Sequence, residues 1–126
     1  MKIWLDDQLD DINAPAKLLP EGHVGAKTFA EFKAIVEDAI ARGEEIEAIS
    51  FDNDLGKGEV EGFEIARWLA ETHPEIFANQ PKIDVHSRNP EGEKALWHHL
   101  KNGQKNYKEL IEAKNRPDPW AEMSTR

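Results

Sequence analysis

A chain of 126 residues holds one domain with one core, and folding buries about two-thirds of the surface that its unfolded form exposes. Its 25 acidic against 16 basic residues give a formal charge of −9, which repels nucleic-acid backbones and argues against non-specific DNA or RNA binding. With no cysteine, disulfides, thiolate zinc sites and cysteine nucleophiles are excluded, and acid–base chemistry falls to Asp, Glu and His.

The opening segment lacks the apolar region of a secretory leader, and no stretch approaches the ~18 apolar residues of a membrane span. The expectation is a soluble, cytoplasmic protein without a membrane partner. Residues 2–5, "KIWL", form a short apolar run that stops at Asp6 and Asp7, as a buried strand does when its carboxyl end opens into a polar crevice. Residues 8–22 carry Pro15 and Pro20 and no sustained period, so a loop with at most one helical turn is expected there. A short strand fits 23–27.

Thr28 opens the clearest helix: Glu31 completes a capping box, Phe32, Ile35, Val36, Ala39 and Ile40 recur at helical spacing, and Gly43 is a stop. "EAISF", 47–51, reads as a strand, the loop "DNDLGKGEVEG" follows, and a second amphipathic helix runs from about 62 to 73 before Pro74. "KIDVH", 82–86, alternates as a strand. Pro90 suits the first turn of a helix capped by Asn89, which runs to about Asn102, where Gly103 interrupts it. A last helix is expected over about 105–114, with 115–126 as a C-terminal tail. Strands alternating with helices predict a single α/β domain over 1–126 with a mostly parallel sheet, in which ligands sit beyond the carboxyl ends of the strands.

Three of these strands end in polar clusters: Asp6 and Asp7; Asp52 and Asp54; His86, Ser87 and Asn89. Carboxylates gathered in one crevice repel each other unless a cation joins them, and a hard divalent ion, Mg²⁺ or Mn²⁺, suits oxygen ligands. A single Asp pair after a strand is ordinarily a turn or helix cap; three clusters at one sheet edge point to a shared purpose. Asp6, Asp7 and Asp52 are the candidate metal ligands. His86, beside Ser87 and facing the acids, is the candidate general acid or base. The amides that open the helix after Asn89 favour an anion, and Arg88 is the one nearby cation.

Other polar residues carry plainer readings. His98 and His99 are poorly spaced for a shared metal, His73 sits at a helix end, the four tryptophans suit core or rim, and "EEIE" at 44–47 suits a solvated turn. An EF-hand loop counted from Asp52 would need Gly where Lys57 stands and Glu where Phe63 stands, so it fails. The strand-end aspartate pair also resembles the first motif of haloacid-dehalogenase phosphatases, but the likeness covers only nine residues, "AISFDNDLG", and that family's usual cap and long core do not fit 126 residues.

Read in order, the acidic pair, the later Asp, Gly62 and Ser87 resemble the response-regulator receiver domain. That resemblance implies a flavodoxin-like three-layer sandwich in which the pair and the later Asp, here Asp52 or Asp54, hold Mg²⁺. It further implies that the later Asp accepts phosphate and that the hydroxyl of Ser87 follows the phosphoryl group. The chain departs in its degraded first helix, its missing or altered fifth strand and the lack of a late Lys-Pro pair. More closely, "WLDD", "SFDNDLG" and "VHSRNP" are similar to the cyclic-phosphate processing receiver domain family over about residues 2–100. Asn53 stands where that family often has His. The likeness implies a metal-dependent phosphoesterase acting on cyclic-phosphate or nucleotide-like ligands, with His86, Asp54 and Ser87 catalytic and Asn89, Arg88 and Gly56 on the phosphate. The alternative is a non-catalytic module that binds a phosphorylated ligand or a partner protein. Nothing in the sequence sets an oligomeric state.

Overall fold

The computed structural model describes residues 1–9, 19–52, 60–86 and 90–116. Along the chain lie β1 (Lys2–Leu5), β2 (His23–Ala26), α1 (Phe29–Ala41), β3 (Ala48–Phe51), α2 (Gly62–Thr72), α3 (Glu75–Ala78), β4 (Lys82–Val85) and α4 (Pro90–Asn115). The four strands form one sheet in the order β2-β1-β3-β4, parallel throughout. Among the described residues no strand follows α4 and no helix is long and apolar enough to cross a membrane.

Side chains alternate across a strand, so the register decides which residues share a face. Ile3 aligns with Ile49 and Ile49 with Ile83, while Leu5 aligns with Ala26 and Phe51 with Val85. This apolar face carries the core. Phe32, Val36 and Ala39 of α1, Ile65 and Leu69 of α2, and Leu96 and Leu100 of α4 are fully buried in the same cluster as Ile3, Leu5 and Phe51. The other face presents Lys2, Trp4, Gly25, Ser50, Lys82 and Asp84. A Cβ on Gly25 would lie 2.8 Å from Leu9 Cδ1 and 3.2 Å from Leu19 Cδ1, so both ends of the β1–β2 connection lie over this second face. Crossover handedness explains the division: the step from β1 to β2 runs opposite to the steps that reach β3 and β4, and right-handed connections then lie on opposite faces. The connections step outward in opposite directions on either side of the boundary between β1 and β3, and the crevice at such a switch point is where open α/β sheets bind ligands.

The cap of α1 matches the sequence reading. Thr28 Oγ1 accepts from the Glu31 N–H at 3.2 Å, and Glu31 Oε2 accepts from the Lys27 N–H at 2.8 Å. Gly43, at φ +68°, takes the left-handed conformation that ends the helix.

The second helix ends before Pro74 as expected, and Pro74 is then the N-cap of α3, a four-residue turn that buries Ile76 and Phe77. The C-terminal half departs from the expectation at Gly103, which does not break α4. A Cβ there would stand 2.6 Å from Phe77 Cε2 and Cζ, so the glycine is a contact surface that lets α3 approach the helix. The departure from helical geometry comes three residues later, at Asn106 (φ −114°, ψ 17°), whose Nδ2 donates to Asn102 Oδ1 at 2.8 Å.

Candidate metal centre

Asp6, Asp52 and His86 each occupy the first position past their strand. There the backbone ladder continues for one more step: the Asp6 N–H donates to Ala26 O (2.9 Å), the Asp52 N–H to Leu5 O (3.1 Å) and the His86 N–H to Phe51 O (2.9 Å). Each follows an apolar residue that faces the core, so alternation turns all three side chains to the polar face of the sheet. Asp6 is 0% exposed and Asp52 8%, both unusual for carboxylates. One ligand atom from each of the three residues lies within 4.8 Å of the others.

The arrangement spans three strands. Neighbouring strands are about 4.8 Å apart, so a side chain from β4 must cross β3 to reach β1. The His86 ring does so: Nε2 is 3.3 Å from Asp6 Oδ2 and Nδ1 is 2.7 Å from Ser50 Oγ. Trp4, two residues before Asp6, stacks on the ring at 4.2 Å between centroids and 10° between planes. His23 meets the edge of Trp4 at 5.7 Å and 88°. The Gln8 N–H donates to Asp6 Oδ1 at 2.9 Å, fixing the other carboxylate oxygen. On the same face, toward the strand starts, a cleft of about 190 Å³ opens between Lys2, Trp4, His23, Ser50, Lys82 and Asp84.

These residues fit a cation by their donor chemistry. An imidazole nitrogen and a carboxylate oxygen 3.3 Å apart attract only with a proton or a cation between them, and a second buried carboxylate adds to the need. The oxygen donors suit Mg²⁺ or Mn²⁺.

Of the residues singled out by sequence, the fold brings together Asp6, Asp52 and His86. Asp7 follows in the turn, half-buried and outside that trio. Asp54, Gly56, Ser87, Arg88 and Asn89 lie outside the described residues, as does Asn53. Two residues at the centre went unremarked as site residues: Ser50 within "AISF", and Trp4, read with the other tryptophans as core or rim. The signal for both is a period of two, since Trp4 stands two before Asp6 and Ser50 two before Asp52.

A parallel sheet in this order, helices packed on its apolar face and acids at the carboxyl ends of adjacent strands define a receiver-like α/β protein. The sequence model of the family described as Cyclic-phosphate processing Receiver domain matches residues 1–102, and the chain belongs to that family. No curated protein and no solved structure matches it. The chain is thus a receiver-like domain of the kind associated with cyclic-phosphate processing.

Proposed function

We propose that the protein is a metal-dependent phosphoesterase that opens cyclic phosphates or cleaves nucleotide-like phosphoesters. The observation that carries this reading is the buried Asp6, Asp52 and His86 trio at one sheet edge. Asp6 and Asp52, with Asp7 alongside, would hold Mg²⁺ or Mn²⁺, which when bound supplies charge stabilisation at a phosphoryl oxygen. His86, with Nε2 3.3 Å from Asp6 Oδ2, would give a proton to the departing oxygen as general acid. Asp54 and Ser87 are its proposed catalytic partners, and Gly56, Arg88 and Asn89 the proposed ligands of the phosphate oxygens.

The test is a panel of 2′,3′-cyclic phosphates, cyclic dinucleotides and ADP-ribose derivatives with Mg²⁺ or Mn²⁺. Hydrolysis is expected, and D52N and H86A each abolish it without loss of fold. Failure of the wild type on every member overturns the enzymatic reading. Binding without turnover would instead support a non-catalytic module for a phosphorylated ligand, which Asn53 in place of the family's frequent His favours.

A further inference from the structure

Ser50 opens the "SFDNDLG" stretch without being among the site residues read from it, yet its hydroxyl meets the ring at the site's centre. It is a hydroxyl residue only 5% exposed in the middle of a buried strand, aligned with Trp4 on one side and Asp84 on the other. A buried hydroxyl is costly unless it bonds, and Ser50 Oγ stands 2.7 Å from His86 Nδ1. We propose that Ser50 is the positioning residue of the centre: its bond to Nδ1 selects the one ring orientation of His86 that turns Nε2 to Asp6.

The geometry needs such a selector. The stack on Trp4 at 10° sets the plane of the ring, but a half-turn about the Cβ–Cγ bond preserves that plane. The half-turn exchanges Nδ1 with Cδ2 and Nε2 with Cε1, and so presents carbon to Asp6. Ser50 distinguishes the two orientations because only one puts a nitrogen on its hydroxyl. Its size matters as well. His86 comes from β4 and reaches Asp6 beyond β1, so the ring passes over β3 at Ser50, and a larger side chain there would lift it off Trp4.

The inference rests on the proposed centre, but its first test is independent of any reaction. Long-range nitrogen–proton NMR of metal-free protein reads the bonding state of His86 Nδ1 directly. In Ser50→Ala the Nδ1 resonance is expected to move to that of a nitrogen without this partner, with thermal unfolding still cooperative. In a parallel titration, Mn²⁺ affinity is expected to fall about 10–100-fold, the usual effect of losing an outer-shell partner of a metal site. Ser50→Cys, which keeps a polar side chain of similar shape but bonds weakly, should give the same two changes and stands in if Ser50→Ala fails to fold. An unchanged Nδ1 signal in a folded variant overturns the proposal, as does loss of fold in both. If the wild type hydrolyses nothing while the Nδ1 signal moves, the phosphoesterase reading falls and the role of Ser50 stands.

Discussion

Asp6 and Asp52 are buried carboxylates whose backbones are held by neighbouring strands, so their cost in the folded state depends on what neutralises them. Asp52→Asn keeps the shape of the side chain and removes one charge. On the proposed reading Mn²⁺ is expected to change tryptophan fluorescence through Trp4, which stacks on His86, and Asp52→Asn to abolish that change. Gly103 makes a different residue-scale point. Alanine is the better helix former by ~1 kcal/mol, but its methyl would meet the Phe77 ring, which is 1% exposed and packed in the core. Gly103→Ala is therefore expected to destabilise the protein by about 1–3 kcal/mol, read as a lower urea midpoint at unchanged slope.

At the scale of elements, α1 is held by its cap and α3 is tied to α4 by charge. Thr28→Ala removes the acceptor for the Glu31 N–H and should lower stability by about 1 kcal/mol in the same urea assay. Lys114 Nζ reaches Glu75 at 2.9 and 3.2 Å. Burial raises the Glu75 pKa, but hydrogen bonds from its own backbone, Lys114 and His73, with the Lys114 charge, pull it below the ordinary carboxylate value. A carboxyl lowered in the folded state stabilises above its unfolded pKa, and that contribution fades as pH falls through the folded value. Glu75→Gln should thus be less stable than the wild type near neutrality, by under about 1 kcal/mol because the pair is largely solvated, and the gap should close in acid.

Over the whole molecule, a cation that binds only the folded chain adds RT ln(1 + [L]/Kd) to stability, about 2.7 kcal/mol at a hundredfold excess over Kd. Mn²⁺ is expected to raise the unfolding temperature by several degrees, EDTA to reverse the gain and Asp52→Asn to abolish it. Loss of the shift in the wild type would leave the Asp6, Asp52 and His86 cluster without its assigned ligand.

The α/β class, the four strands, α1 with its cap, and three polar strand ends were all legible in the sequence. Each is a local signal: apolar runs of strand length, helical spacing, a capping pair, acids where an apolar run stops. Strand order and the side of the sheet each connection takes are tertiary outcomes, because pairing joins residues as distant as Ile3 and Ile49. Gly103 reads locally as a stop and becomes a contact only when Phe77 arrives from α3. Ser50 and Trp4 read locally as strand residues. They become parts of the centre only because β1, β3 and β4 lie side by side in register, which lets one imidazole cross from the last strand to the first.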